Sequence, residues 1–459
     1  MLFASLLVEN NKEMKQILLT TILSFGLVTT TVAQEKFWSL NDCMRYAVEN
    51  SPAVKKQTFT YDTYKAERNA SVASFFPTAS ANVGAQYNFG RSIDPETNTY
   101  NNTSTFNNSY GLSTQIPIFT GGQLINQWLL GKSNVKMGKN DIQKKKDDLA
   151  LETMQAYADV VYYKGTIKMA AEKLEESRRT LYKTKRQEEL GLKGKADVAQ
   201  FEAQVATDDY TLTHQQNLYN TALLTLKEKM NYPSDLELEV DTLLPDVSFV
   251  TVNENVNEIY DYAEENNPTS QQADFQLQAA KYQYRMSKGA MLPQIYFNAG
   301  ISTNYFENLK SEASPASFNS QFKNNRGEYL GFTISFPLFN GLSKVTNLRR
   351  YRNNLRIAEE TKTEVLRQLQ NAVEQSVLDR EGYAKEAIQM DKQVSSNDLA
   401  YRITLRKYEE GLMSSLDVQT SSNNLLTSKA NLLQKKLMYL MKSKLVDYYK
   451  GKPLVEAEN

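Results

Sequence analysis

The sequence has few of the residues that build catalytic and metal centres. It contains one cysteine, Cys43, and one histidine, His214. One cysteine excludes an intrachain disulfide, and one histidine excludes the histidine clusters of zinc sites and of most catalytic triads. We therefore interpret His214 as a helix-surface residue and predict no catalytic, cofactor or metal site.

Carboxylates offer the remaining pattern for a reactive cluster. Two adjacent pairs stand out, Asp147 with Asp148 and Asp208 with Asp209. Adjacent side chains on a helix diverge, because only residues three or four positions apart share a face. We interpret both pairs as solvated helix faces, which leaves a secreted enzyme without a visible active site.

Charge balance and apolar runs limit the partners and the location. The 53 Lys and Arg residues equal the 53 Asp and Glu residues, so overall charge gives no reason to expect nucleic acid as a partner. Lys15, an apolar run at 17–28 and small residues up to Ala33 predict a secretory signal peptide at 1–33, with Met14 as an alternative start. After Ala33 the sequence has no apolar run of the length that a transmembrane helix needs.

An internal duplication organises the rest of the chain. The segment YGLSTQIPIFTG at 110–121 recurs as YLGFTISFPLFNG at 329–341, with its proline, aromatic residue and glycine displaced by 220 positions. Upstream, Pro77 and Pro293 match with a displacement of 216. The segment from Pro293 to Gly331 is therefore four residues longer than its counterpart from Pro77 to Gly111. The expected junctions between strands and helices are Pro77, Pro117, Gly121, Pro293, Pro337 and Gly341. The predicted organisation is a first repeat at 34–230, a link at 231–255, a second repeat at 256–449 and a tail at 450–459.

Four segments alternate apolar with small or polar residues, as amphipathic strands do. We predict strands at about 79–90, 109–119, 294–306 and 328–338. The segments between paired strands, 91–109 and 307–328, are rich in Asn, Ser and Thr, and we predict that they are loops in water. Each strand is close to the length of about 9 to 11 residues that spans a bilayer when tilted.

Charged residues are missing from 69–90, 97–131, 289–306 and 329–343, which cover the strands except for Glu328, although they make up 23% of the chain. A charge that faces lipid near the midplane costs about 2 to 4 kcal/mol, so the absence favours a membrane sheet over a soluble one. The residues predicted to face lipid are Val83, Ala85, Ile116, Phe297, Ile301, Phe332 and Ile334. Aromatic residues at the loop-proximal ends predict an interfacial girdle, and they are Tyr87, Phe89, Tyr110, Tyr305, Phe306 and Tyr329. The alternative is a half-buried antiparallel sheet in a soluble protein.

After each of the glycines Gly121 and Gly341 the period becomes helical. The first helical stretch continues for about 70 residues, which is roughly 100 Å of helix. Apolar residues follow steps of three and four along it, as in a coiled coil, and the second copy repeats the frame. Gly191 and Gly411 then mark tight turns into returning helices that also carry heptads.

These features together resemble the TolC-type outer membrane efflux proteins. The resemblance rests on the duplicated strand–proline–aromatic–glycine segments and on the turn motifs EELGLKGKADVAQFEAQ and YEEGLMSSLDV. It implies an α+β membrane protein in which a long antiparallel α-helical coiled-coil barrel forms a periplasmic tunnel and a transmembrane β-barrel is shared between protomers. It also implies a homotrimer in the outer membrane, a periplasmic adaptor (membrane fusion protein), an inner membrane transporter and no cofactor.

A duct subunit of a tripartite efflux or type I secretion system is the function that the resemblance implies. Four strands cannot close a barrel, and an open sheet edge is not viable in lipid, so the residues independently require oligomerisation. The number three comes from the resemblance. The alternative is a periplasmic coiled-coil adaptor or structural protein without a pore, which leaves four charge-free amphipathic strands unexplained.

The family pattern also suggests a gate at the helix turns. Asp417 matches a ring aspartate of the family, Tyr408 a tyrosine of the neighbouring network, and Asp197 the equivalent aspartate of the first copy. Thr420 replaces a second ring aspartate and Met413 a basic residue, so the charged network is smaller here. The competing interpretation is that Asp417 caps the returning helix.

Overall fold

The structure is a computed structural model that describes residues 37–93, 98–243, 249, 254–310 and 314–456. The expected signal peptide lies outside these residues. The helices of the described residues are α1 (Leu40–Asn50), α2 (Pro52–Ala73), α3 (Gln123–Glu189), α4 (Lys195–Met230), α5 (Val256–Asn266), α6 (Pro268–Gly289), α7 (Phe318–Asn324), α8 (Ser343–Glu409) and α9 (Ser415–Tyr449). Its strands are β1 (Thr78–Ile93), β2 (Tyr100–Phe119), β3 (Gln294–Asn308) and β4 (Gly327–Ser335).

The two halves of the chain have matching helices. The pairs α1 and α5, α2 and α6, and α3 and α8 have 11, 22 and 67 residues in each copy. The short helices begin at equivalent signals, because Ser51 caps α2 and Asn267 caps α6, each followed by proline at the first helical position. The duplication predicted from the sequence is therefore a duplication of structure.

Each long helix folds back as an antiparallel hairpin, α3 with α4 and α8 with α9. Gly191 and Gly411 make the turns with φ of 74° and 79°, a conformation that costs other residues more than glycine. The predicted seam is buried where the helices pack, as Leu149, Val160 and Val373 show. Hydrophobic burial along this seam holds each hairpin together.

Near the sheet the helices form a wall one helix thick. Helix α2 packs on α3, α3 on α6, and α6 on α8. Gly131 and Gly138 let α3 approach α2 closely, because a Cβ on Gly138 would lie 2.7 Å from Tyr64 Cδ2. Among the described helices, none is both long and apolar enough to cross a membrane.

The sheet contains four antiparallel strands in the order β1-β2-β3-β4. Strands β2 and β3 join the two repeats, for example where Gln115 lies opposite Asn298. The prediction of loops was wrong for much of 91–109, since β1 runs to Ile93 and β2 begins at Tyr100. Between β3 and β4 the chain also forms the short helix α7, which we did not predict.

The link and the tail pack on the middle of the hairpins. Trp38 forms a parallel bridge with Val240 of the link. In the tail, Leu454 is buried against Met44 and Met154 of the first repeat. An ion pair joins Arg380 of α8 to Glu254 of the link, with 3.1 Å between nitrogen and oxygen. These contacts tie both repeats together at one level of the helices.

The interpretation of both aspartate pairs as solvated faces was wrong for one member of each. Asp209 is exposed and Asp148 is half-buried, whereas Asp147 and Asp208 are buried. Asp147 accepts a hydrogen bond from the hydroxyl of Tyr448 at 2.9 Å, and burial raises the pKa of Asp147. Adjacent side chains diverge as expected, but one of the two directions leads into the protein.

Candidate functional site

The register divides the sheet into two chemically different faces. Odd-numbered residues of β1 and β3 share a face with even-numbered residues of β2 and β4. On that face the strands carry Ala81, Val83, Ala85, Leu112, Ile116, Phe297, Ala299, Ile301, Leu330, Phe332 and Ile334. The other face carries Ser80, Asn82, Gln86, Ser113, Gln115, Asn298, Ser302 and Thr333. All seven residues predicted to face lipid therefore lie on the apolar face.

Among the described residues most of the apolar face is uncovered, and helix α7 packs only on its far end, where Phe318 contacts the rings of Tyr110 and Tyr305. Val83 is 72% exposed and Phe332 69% exposed. Phe297 contacts Phe332 across the strand pair, with ring centroids 5.2 Å apart. A contiguous apolar surface of this kind marks contact with lipid or with another protein.

The aromatic residues near the far end of the sheet are divided between the faces. Tyr87, Phe89, Tyr110 and Tyr305 lie on the apolar face, whereas Phe306 and Tyr329 lie on the polar face. The prediction of one girdle was therefore wrong for Phe306 and Tyr329. The apolar face takes the odd-numbered residues of β3 and the even-numbered residues of β4, so both of these side chains lie on the polar face. Phe106, which we did not single out, packs 4.7 Å from Tyr87 between ring centroids and extends the cluster.

Of the six junctions predicted from the repeat, Pro77 and Pro293 lie between a helix and the following strand, Gly121, Pro337 and Gly341 lie between a strand and the following helix, and Pro117 lies inside β2. Strand β2 passes Pro117 with a register shift and ends at Phe119, the end that the sequence predicted. Gly121 and Gly341 have φ of 64° and 62°, and helices α3 and α8 begin two residues later, at Gln123 and Ser343. The sheet is thus continuous with the helical wall.

At the opposite end of the long helices, Tyr408 lies in the core between the two hairpins. It is 1% exposed, and its ring packs against Phe201 at 5.4 Å between centroids. The Nζ atom of Lys193 lies 3.9 Å from the centre of the Tyr408 ring and donates a hydrogen bond to the Tyr408 carbonyl oxygen. Thr184 Oγ1 lies 3.3 Å from the Tyr408 hydroxyl. Burial raises the pKa of Tyr408, with a smaller contribution from the charge of Asp197.

Sequence reasoning missed Lys193. Met413 stands where the family has a basic residue, and in the structure it packs in the apolar cluster around Tyr408. Lys193 supplies a cation beside Tyr408 from the other hairpin. The lysine was visible in the turn motif, but its partner was not, because the two residues come from different repeats.

Asp417 is exposed and completes a capping box at the start of α9. Its Oδ2 accepts hydrogen bonds from the backbone N–H of Ser414 at 2.9 Å and from the Ser414 hydroxyl at 2.7 Å. These bonds hold the pKa of Asp417 below its usual range. Asp197 occupies the first turn of α4, the equivalent place in the first repeat. The structure thus brings Asp417 to a helix start and Tyr408 into the core, without joining the two side chains.

The contacts between the two hairpins near this end are mostly polar. Ser415 lies 3.1 Å from Gln200, and Gln419 donates to Gln204. Behind them, Asp208 is 2% exposed and forms an ion pair with Lys173 at 3.1 Å. No group of three or more His, Cys, Asp or Glu residues in the described segments could hold a metal ion.

Comparisons with known proteins agree with this geometry. The family model for outer membrane efflux proteins matches residues 44–231 and 259–444, which are most of both repeats. No curated protein matches the chain by sequence.

Solved structures share the fold at low sequence identity. The outer membrane protein VceC from Vibrio cholerae has 15% identity and a TM-score of 0.78, over 90% of this chain and 96% of that chain. The outer membrane channel CmeC from Campylobacter jejuni has 15% identity and a TM-score of 0.76, over 89% and 84% of the two chains. The open state of the outer membrane channel MtrE from Neisseria gonorrhoeae has 17% identity and a TM-score of 0.70, over 90% and 88%. Because the family model covers both repeats, this chain belongs to the outer membrane efflux protein family.

Proposed function

We propose that this chain is one subunit of a homotrimeric exit duct in the outer membrane. The duct passes small molecules or proteins from the periplasm to the exterior as part of a tripartite efflux or type I secretion system. One observation carries the proposal: a two-faced sheet with a largely uncovered apolar side continues directly into two helical hairpins, each of which begins with a 67-residue helix. The family to which the chain belongs supports the same function.

The sheet edges support assembly. Strands β1 and β4 each pair with one neighbour within the described chain. In lipid, the unpaired N–H and C=O groups of an edge cost several kcal/mol each, so edges must pair between copies. Three copies would bring twelve strands together, a number within the range of closed membrane barrels. The polar face would then line the lumen.

The helix turns are the proposed docking place for the periplasmic adaptor, which links the duct to an inner membrane transporter. Leu192 and Leu412 occupy equivalent places in the two turns and are 70% and 71% exposed. Leu190 and Leu416 are also exposed beside them. Apolar side chains in this position suit contact with a partner better than contact with water.

Asp417 is the proposed charged group of the gate. One of its carboxylate oxygens, Oδ2, makes the hydrogen bonds to Ser414, and the side chain remains exposed. Three such carboxylates around a narrow entrance would attract cations within the 8 to 10 Å or so that physiological salt leaves unscreened. Tyr408 and Lys193 would hold the two hairpins of one protomer together behind this ring.

Two measurements test the duct. Native mass spectrometry of the detergent-purified protein should give a trimer, and planar bilayers should show discrete conductance steps. The matched control is the same preparation after heat dissociation, which should give monomers and no steps. A native preparation that stays monomeric and conducts nothing would contradict the proposal and leave an adaptor or structural role.

A further inference from the structure

The segments of α3, α6 and α8 next to the sheet are strongly basic, although the whole chain has no net charge. Residues 120–140, 275–290 and 343–358 contain no Asp or Glu. Ten exposed cations lie there: Lys132, Lys136, Lys139, Lys281, Arg285, Lys288, Arg349, Arg350, Arg352 and Arg356. None of the ten forms an ion pair with any described residue.

These cations lie close to the level of the sheet. At 1.5 Å per residue, Lys139 lies about 24 Å from the start of α3 and Arg356 about 20 Å from the start of α8. Lys281 lies about 12 Å from the end of α6, which is the end nearest the sheet. The basic segments of three helices therefore occupy one band directly beside the sheet.

On α3 the lysines share one side of the wall. Gly131 contacts Arg68 of α2, and Asn140 donates a hydrogen bond to the carbonyl oxygen of Pro268 in α6. These contacts fix the two sides of α3 that meet its neighbours. Lys132, Lys136 and Lys139 have the spacing of one helix face, and at about 100° per residue that face lies between the two neighbours.

The cations of α6 and α8 project from the same side. Gly289 of α6 meets Gly121 on the α3 side, and Lys344 of α8 donates a hydrogen bond to Ala290 at 2.7 Å on the α6 side. Helix α6 runs antiparallel to α3 and α8, so its residues rotate in the opposite sense when viewed from the sheet. With that rotation, nine of the ten cations lie on one side of the wall, and Arg350 lies on the other. We call the nine residues the basic collar.

The collar works against the stability of the isolated helices. Lys132 and Lys136, like Arg352 and Arg356, are like charges four residues apart, an arrangement that destabilises a helix. Glu359 and Glu360 follow Arg356 by three and four positions without pairing with it, and the other cations have no carboxylate within their segments, so anions from outside the chain would stabilise this group.

Apolar residues on the same face show which side the collar occupies. Ile125 and Trp128 precede Lys132 by seven and four positions, so they continue its stripe towards the sheet, and both are exposed. Lys132 Nζ lies 5.8 Å from the centre of the Trp128 ring. The opposite side of α3 carries Gln123, Gln127 and Asn134. An apolar residue, a tryptophan and then lysines in this order match the passage from acyl chains to headgroups.

We propose that the basic collar binds the anionic headgroups of phospholipids in the periplasmic leaflet of the outer membrane. This inference depends on the proposed function, since it places the apolar face of the sheet in that membrane. The guanidinium and ammonium groups would bind headgroup phosphates, and Ile125 and Trp128 would sit among the adjoining acyl chains. The bound lipid would fix the depth of the duct in the membrane.

The test uses the full chain purified from mixed micelles of detergent with equimolar phosphatidylglycerol and phosphatidylcholine. Native mass spectrometry counts the lipids retained by wild type and by the collar variant Lys136→Gln/Arg285→Gln/Arg352→Gln. We expect wild type to prefer phosphatidylglycerol, and the variant to lose about tenfold of that preference. About 0.5 M salt should reduce the wild-type preference, because the charges are near the surface.

Two controls separate the collar from net charge. Lys168→Gln/Lys392→Gln/Lys407→Gln removes three exposed cations far from the sheet, and Arg350→Gln removes the cation on the other side of the wall. Both should retain phosphatidylglycerol as wild type does. Equal retention of phosphatidylglycerol by wild type, the collar variant and both controls would overturn the proposal. So would a collar variant that retains phosphatidylglycerol as wild type does but has an altered anion permeability, because that result would place the collar in the lumen. A wild-type protein that forms no trimers and conducts nothing would contradict the proposed duct instead of the collar. The oligomeric state and the conductance are measured independently of the number of bound lipids, so the two failures can be told apart.

Discussion

Gly121 and Gly289 lie against each other where the sheet meets the helices. A Cβ on either residue would overlap the carbonyl oxygen of the other. Gly121 also has a φ of 64°, which only glycine adopts at low cost. This close contact sets the distance between α3 of the first repeat and α6 of the second.

We expect Gly121→Ala to destabilise the protein by more than about 2 kcal/mol, because backbone strain and steric overlap add. Thermal unfolding and the yield of assembled protein in membranes measure the effect. Gly341→Ala is the matched control, since Gly341 has the same conformation with no atom within 4 Å of its Cβ position. It should cost only the strain, about 1 kcal/mol. An equally large loss in Gly341→Ala would show that a neighbouring protomer contacts Gly341.

A charge on the apolar face of the sheet should impair assembly. Phe297 lies opposite Ile116 and Phe332, so Phe297→Arg should cost about 2 to 4 kcal/mol if the face meets lipid. Ser302→Arg, on the polar face of the same strand, should be tolerated. Ile301 is a weaker position for this test, because Glu328 lies directly opposite and would pair with an arginine. Equal yields of folded protein from Phe297→Arg and Ser302→Arg would argue against lipid contact.

The ion pairs of Glu254 predict a pH dependence. Burial disfavours its charge, but hydrogen bonds from Lys450 and Arg380 prevail and hold the pKa of Glu254 below its usual value of 4.5. A depressed carboxyl pKa contributes stability above the unfolded-state pKa, and that stability disappears as the pH falls through the folded-state value. The melting temperature of wild type should therefore fall as the pH drops below about 4.5, and Glu254→Gln should flatten this part of the profile.

At neutral pH the same substitution should cost about 3 kcal/mol, since it leaves the buried Arg380 without its anion. The double variant Glu254→Gln/Arg380→Met should regain part of that loss. If Glu254→Gln alone melted like wild type at neutral pH, the ion pair would contribute nothing to the packing of the link.

Asp417 and Ser414 separate the gate from the helix cap. Asp417→Asn removes the charge and keeps an oxygen that can accept the two hydrogen bonds, so single-channel cation selectivity should fall while the melting temperature changes little. Ser414→Ala removes the cap and keeps the charge, and it should cost about 1 kcal/mol with selectivity unchanged. If Asp417→Asn instead lowered the melting temperature and left the cation selectivity unchanged, Asp417 would have a capping role only. Asp197→Asn should change selectivity less than Asp417→Asn.

The sequence predicted the repeats and the hairpins well for a physical reason. A continuous helix tolerates no insertion without losing its seam, so α3 and α8 keep both length and register, and their heptads are legible. The two faces of the sheet could be predicted from the sequence for a similar reason, because successive side chains of a strand point strictly to alternate faces.

The errors concern features that depend on partners distant in the chain. The amino-terminal half of β2 is rich in Asn, Ser and Thr, and pairing with β1, joined from Thr105 onwards by pairing with β3, makes it a strand. Asp208 was assigned to solvent because its partner Lys173 lies on another helix. The common side of the basic collar likewise required the order α3, α6, α8 in the wall, which no local pattern contains.

The pairing of β2 with β3 has a consequence for biogenesis. Gln115 and Asn298, which are hydrogen-bonded across this pair, are 183 residues apart in the chain. Contacts of such high sequence separation form slowly, because loop-closure entropy must be overcome before they contribute. The first hairpin β1-β2 is complete long before β3 has been translocated, and until then it exposes an apolar face and an unpaired edge. We therefore expect newly exported chains to need a periplasmic chaperone that covers β1 and β2 until the second repeat arrives.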